Sequence, residues 1–340
     1  MTSKGRNLLA GLIIGAGVLI VVAGVAAVTA FVFGLGSGAI SAGGFPDALA
    51  LSQNGRTLYV ADDNALAANG VVWPLDLATG HSGRSIRVHG PAMVLALAPG
   101  GRTLYAGDGD SVTPIDLVTG RTGPLIRTHI DGEEPLLVSR DGRTLYLAGD
   151  KRIREYDLAT GRFGPDIRAD FPGAMLLSQD GRALWFASFD NRVVEVNLAT
   201  GEVERRIRLR SWPIALAMSP NDRTLYAAES GSGRKVPAEV VPIDLAAGSV
   251  GPGTKVRFPV AMTIAPDGRT LYVLATPGGT EGDGPTVRGW VTPIDLATGK
   301  ARPSIGVGYA PACIVITPNG RTLYVANEDD GTISVIHVRR

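Results

Sequence analysis

Seven residues each stand directly before a proline that opens an apolar, β-type run: Phe45, Gly90, Glu134, Phe171, Trp212, Phe258 and Ala310. Four of these seven are aromatic in a chain that is only 6% aromatic, so the enrichment asks for a cause. Aromatic faces gathered at one place can stack an apolar or ring-bearing group, while neighbouring charges orient it. Those charges are present in Glu133, Glu134, Asp170 and Arg210, and Tyr309 adds a further ring beside Ala310. The same rings have a structural use, as a plug in a narrow centre or as packing between neighbouring units.

Other chemistry finds no constellation. His81, His89, His129 and His337 are dispersed, none forms H-E-x-x-H, and neither a G-x-S-x-G nucleophile turn nor a G-K-[ST] phosphate loop occurs. No catalytic residue, metal ligand or cofactor is therefore expected. Asp108, Asp110 and the run Glu328-Asp329-Asp330 carry the oxygens that calcium prefers, but neither set belongs to the twelve-residue loop with its terminal Glu. They read as solvated turn acids. Cys313 is the single cysteine, so no intramolecular disulfide can form, and its apolar surroundings make it a packing residue. Setting aside Lys4 and Arg6 leaves 31 basic residues against 32 acidic ones. A nucleic-acid partner, which calls for a basic surplus, is not expected.

The elements that must position these residues follow from a repeat. The motif x-G-R-T-L-Y-V-A recurs seven times, with arginines at Arg56, Arg102, Arg143, Arg182, Arg223, Arg269 and Arg321, spaced 46, 41, 39, 41, 46 and 52 residues apart. A period near forty with several β-type runs per unit predicts an all-β, seven-bladed β-propeller of four-stranded blades. In the second unit, Pro91 to Ala98 and Thr103 to Ala106 form a hairpin of strands A and B across the turn at Gly100-Gly101; Val112 to Leu117 is strand C, and Leu125 to Thr128 is strand D. Turns of the form D-L-A-T-G follow strand C at Asp76, Asp157 and Asp295, with variants at Asn197 and Asp244. Pro74, Pro114, Pro242 and Pro293 fall inside strand C, where a missing ladder donor predicts a bulge or an early strand end. The motif arginines would ring the face carrying the A–B turns, but Asp141, Asp180, Asp222 and Asp267 accompany them, and a residue present in every blade serves the blade. The last unit ends at Arg340 without an outer strand. Residues 39–43 precede the first strand A and are expected to supply it, closing the ring.

The run Leu323 to Asn327, L-Y-V-A-N, followed by G-T-I-S-V-I from Gly331, resembles the YVTN family of β-propeller repeat proteins. The resemblance covers about residues 39–340 and implies the same fold, shared with lactonase and quinoprotein-like propellers. Two features depart from that family's pattern: its Asn after the Y-V pair survives only at Asn327, and the Asp of strand C becomes Asn197 and His337.

The N-terminus adds a location. Leu8 to Phe33 is 26 residues without a charge, preceded by Lys4 and Arg6. As a helix it would reach about 39 Å, beyond the ~30 Å hydrocarbon core. Residues 1–7 are expected as a short cytoplasmic segment, 8–33 as a transmembrane helix or signal anchor, and 34–38 as a linker, with the propeller outside the cytoplasm. Cleavage after the small residues Val28-Thr29-Ala30 would instead release a secreted form. The functional expectation is a membrane-anchored, extracytoplasmic binding or protein-interaction scaffold. Its partners are the membrane, through the helix, and a protein or small molecule on the propeller face that carries the D–A and B–C loops. The alternative implied by the resemblance is a lactonase-like hydrolase of sugar lactones; a quinoprotein-like subunit is a third.

Overall fold

The computed structural model describes residues 38–42, 44–62, 70–128, 135–231, 236–277 and 288–338. Segment 8–33 and residues His129, Glu133 and Glu134 lie outside them. Every described element is a β-strand or a turn, and among the described residues no helix is long and apolar enough to cross a membrane. The strands form seven antiparallel sheets, one per repeat. Letters A to D run from the channel outward.

Local chemistry explains each hairpin. In the first A–B turn the Ser52 hydroxyl donates to Asn54 Oδ1 (2.8 Å), which also accepts the Arg56 N–H (2.9 Å), while Ser52 Oγ accepts the Thr57 N–H (2.9 Å). Gly55 closes that turn at φ 65°, in the region glycine enters without a Cβ penalty. The fifth blade places Asp222 at the same step with φ 52°, a substitution that Asp tolerates better than most residues. In the first C–D turn, Asp76 Oδ1 accepts the N–H groups of Ala78 and Thr79 and the Thr79 hydroxyl, at 2.8–2.9 Å. The Thr79 N–H, then its hydroxyl, hold the Asp76 carboxyl below the usual carboxylate range, and Thr160 does the same for Asp157.

The motif arginine serves its blade through the backbone. In all seven copies, from Leu77 N–H to Arg56 O through Val338 N–H to Arg321 O, its carbonyl accepts the N–H that follows strand C, at 2.8–3.0 Å. The side chains of all seven are exposed.

Ring closure is visible in both backbone and core. Gly38–Ser41 pairs antiparallel with Thr332–His337, strand C of the last blade, with Ile40 opposite Ile333. The closing strand thus begins one residue earlier and ends two earlier than the expected 39–43. Seven hydrophobic clusters each join two neighbouring blades, and one of them sets Leu58, Val60 and Trp73 of the first blade against Tyr324, Ala326 and Ile333 of the last. Period-2 alternation produces this: one side of each sheet faces the preceding blade and the other the following one.

The strand C prolines break no ladder with strand B. Pro74, Pro114, Pro242 and Pro293 stand opposite Tyr59, Tyr105, Tyr226 and Tyr272 in unshifted register. Their carbonyls accept N–H groups from the outer side, as Gly83 to Pro74 (2.7 Å) and Gly123 to Pro114 (2.8 Å) show. The nitrogen lacking a hydrogen therefore points outward too, to where strand D steps off the ladder. Strand D is split into two short pieces in the second, third, fifth and sixth blades, and the third has Glu155 where the others have proline, so the proline fits the break without causing it. The expected irregularity lies in D, and register shifts also follow the opening proline of strand A in five blades.

Candidate ligand-binding face

Strand A starts at its proline in five blades, Pro46, Pro172, Pro213, Pro259 and Pro311. The residue before it ends the crossover from the preceding blade. A polar side chain at the end of strand B fastens several of these crossovers. Buried Asn327 accepts the Gly308 N–H (3.0 Å) through Oδ1 and donates from Nδ2 to Thr332 Oγ1 (3.0 Å) and Ser334 Oγ (2.9 Å). At the equivalent position Asp62 accepts the Phe45 N–H (2.9 Å), the Ser188 hydroxyl donates to Asp170 O (2.9 Å), and Glu229 Oε1 accepts the N–H groups of Arg210 (2.6 Å) and Ser211 (3.0 Å). Different side chains fill one role.

The crossover ends hold their aromatic side chains out. Phe45, Phe171 and Phe258 are 43%, 48% and 46% exposed, and Trp212 is half-buried. Phe171, Phe258 and Ala310 sit at φ 45–48°, a left-handed conformation that costs a non-glycine residue on the order of 1–3 kcal/mol unless the surroundings impose it. The surroundings do: the Phe171 N–H bonds Asp150 O (2.7 Å), while the carbonyls of Phe258 and Ala310 accept from Thr276 and Glu328 (both 3.0 Å).

Phe171 and Trp212 are linked through a ring that the proline register does not predict. Phe189, in the B–C turn of the fourth blade, meets Phe171 edge-on at 6.2 Å between centroids and Trp212 at 4.6 Å. Phe189 is itself 39% exposed. The three rings form a shelf where the fourth and fifth blades adjoin. Among the described residues no ring contact joins Phe45, Phe258 or Tyr309 to it. Phe258 lies under the Arg257 guanidinium (5.7 Å) and Tyr309 under that of Arg288 (5.1 Å). Asp170 is exposed next to Phe171. The Arg210 guanidinium lies 3.8 Å from Glu239, so its recorded partner is a carboxylate of the fifth blade.

No protein-family model matches the chain, and no curated protein sequence matches it. Among solved structures, the chain is similar to hydrazine synthase of Kuenenia stuttgartiensis, with a TM-score of 0.71 at 20% identity over 86% of this chain and 95% of that one. At that identity the likeness is one of fold.

Proposed function

We propose that this propeller is a membrane-anchored, extracytoplasmic binding scaffold whose recognition surface is the shelf of Phe171, Phe189 and Trp212. One observation carries the reading: three rings meet edge to face yet leave large apolar area in water. Burying that area in a partner would gain roughly 25 cal/mol per Å². Rings held by a fixed backbone lose little freedom on binding, the property that suits aromatic residues to recognition.

The closing strand supports an orientation. Ser41 pairs with Thr332, at the B–C end of strand C, and Gly38 with Val335 nearer its middle. The chain therefore climbs toward the shelf's face, and an anchor at 8–33 would approach from the opposite side. The shelf would then face away from the membrane.

Titrating the full-length protein with ring-bearing probes, beginning with p-nitrophenyl glycosides, and following tryptophan fluorescence tests the site. Phe189→Ala and Trp212→Ala should each weaken binding at least tenfold, and undiminished binding in both would refute it. A reporter fused after Arg340 should be active only outside the cytoplasm; activity inside would remove the anchor from the reading. Turnover of a sugar lactone by the purified protein would replace the scaffold with the hydrolase.

A further inference from the structure

At the B–C end of the fourth blade, directly opposed residues form a row across all four strands: Pro172, Ser188, Arg192 and Arg208. Phe171 precedes the first of these and Phe189 follows the second, so the row begins at the aromatic shelf. With neighbouring strands about 4.8 Å apart, Arg192 lies roughly 5 Å and Arg208 roughly 10 Å outward from Ser188. Arg206, two residues before Arg208 on strand D and opposite Val194, is on the same side of the sheet. That side faces the third blade, because Val194, in step with Arg192, packs in the cluster between those two blades. Three guanidinium groups thus gather beside the three rings.

Like charges directly opposed in a ladder are destabilising. The outer two positions of the row are Val71 and Arg87, Ser111 and Arg127, Glu239 and Lys255, Trp290 and Gly306, and Thr332 and Ser41 in five of the other blades. Besides the fourth blade, only the third opposes two arginines, Arg152 and Arg168. The third blade carries its own counter-ion, since Asp166 pairs with Arg152 (3.0 Å) and Arg154 (3.5 Å). At the equivalent position, before Ile207 rather than Ile167, the fourth blade has Arg206. Its Arg192 pairs with Asp190. Arg206 and Arg208 are exposed and make no ion pair or side-chain hydrogen bond among the described residues, although Arg208 also borders the cleft that contains Glu229 and Glu239. From the third blade Glu155, in step with Ile153, faces the same groove without pairing to these arginines.

We propose that the outer end of this row binds the oxyanion of a ring-bearing ligand, on Arg206 and Arg208 with Arg192, while the ligand's ring lies on the shelf. The proposal rests on the shelf as the recognition surface and names the class of ligand it takes. A guanidinium presents a planar fork of donors that matches phosphate, sulfate and carboxylate. A bound oxyanion supplies here the negative charge that Asp166 supplies in the third blade. The ligand's orientation follows from the charges: Asp170 is exposed beside Phe171 at the inner end of the row, so the anion lies outward. Its distance from the ring is set by one to two strand spacings, about 5–10 Å.

Tryptophan-fluorescence titration of the full-length protein with p-nitrophenyl phosphate, p-nitrophenyl sulfate and p-nitrophenyl β-glucuronide tests the three oxyanions. The neutral p-nitrophenyl β-glucoside and inorganic phosphate serve as the ring without the anion and the anion without the ring. At least one anionic probe should bind at least tenfold more tightly than the glucoside, and the tightest identifies the oxyanion. Arg208→Gln should weaken that probe at least fivefold, leave the glucoside within twofold and leave the melting temperature unchanged. Arg168→Gln, the same change in the third blade's row, should leave both probes within twofold. No binding by any probe, or undiminished binding in both Phe189→Ala and Trp212→Ala, would remove the shelf and this proposal together. With the shelf intact, the oxyanion site alone is overturned if no anionic probe exceeds the glucoside, if Arg208→Gln is neutral or costs no more than Arg168→Gln, or if inorganic phosphate binds as tightly as p-nitrophenyl phosphate.

Discussion

Closing the ring with Gly38–Ser41 makes a prediction that depends on the parity of single residues. The Ala42 N–H bonds Gly331 O (2.7 Å), and alternate N–H groups of a strand point the same way, so the Ile40 N–H also faces the last blade while that of Ser41 faces out. Ile40 stands opposite Ile333 and packs on the cluster joining the last and first blades. Ile40→Pro removes the N–H of that pair and strains its companion, a loss of about 1–2 kcal/mol at roughly 1 kcal/mol per hydrogen bond. Lost aliphatic contact adds about 1 kcal/mol. Ser41→Pro places the ring where no donor is needed, a position edge strands tolerate. At roughly 2–4 °C per kcal/mol for a domain of this order of size, Ile40→Pro should melt about 4–12 °C below the wild type and Ser41→Pro within about 2 °C of it. Ile40→Ala separates the side chain from the backbone. Equal melting of the two proline variants would refute closure by this strand, and a larger loss in Ser41→Pro would place the register one residue off.

Asn327→Leu should cost about 2–4 kcal/mol in urea unfolding, because the Gly308 N–H is left buried without its acceptor; Asn327→Asp, which keeps that acceptor, should cost less. Trp212→Ala should lower stability by clearly less than the roughly 3–5 kcal/mol of a core aromatic deletion, since Trp212 is half-buried; a full-sized loss would make it packing. Acid should unfold the domain through its turns: Asp76, Asp116 and Asp157 have folded pKa values lowered first by the Thr79, Thr119 and Thr160 N–H groups, and Asp295 first by Arg302. Lowered values mean that their contribution is complete above the ordinary Asp pKa of about 3.9 and fades as pH falls through the folded values, so melting should drop below about pH 4, while Glu155 and Glu195, whose values burial raises, act with the opposite sign at higher pH. Asp157→Asn, which copies Asn197 of the fourth blade, should flatten that drop, and an unchanged acid slope would count against the turn carboxylates.

The repeat was legible because each hairpin is specified within a few residues: the serine and asparagine around Gly55, the aspartate of five C–D turns with Asn197 in the fourth blade, the proline that opens strand A. The closing strand was legible for the same reason, as a missing outer strand at one end of the chain matched an unassigned β-type run at the other. What the linear order hides is direction across a ladder. Nothing in the string shows that the N of Pro74 points to strand D, so a proline inside an interior strand predicted a bulge where the ladder between strands B and C runs unbroken. Phe189 was missed because it belongs to a B–C turn, outside the proline register that singled out Phe171 and Trp212.

The same limit governs the side chains of the fifth blade. Glu229 and Glu239 lie ten positions apart across a loop and become neighbours only once the fifth blade's register is known. Arg210 and Trp212 are two residues apart, yet the first pairs with Glu239 and the second meets Phe189. That separation follows from the crossover: Glu229 grips the N–H groups of Arg210 and Ser211, which fixes the backbone from which the two side chains diverge. The segment that varies from blade to blade is thus held by a polar side chain at the Asn327 position in the blades of Asp62, Ser188, Glu229 and Asn327, whereas Gly149 and Ala275 offer none there. Substituting those fastening residues changes where a crossover's side chains point while the repeat is retained, so one scaffold can present different surfaces between different pairs of blades.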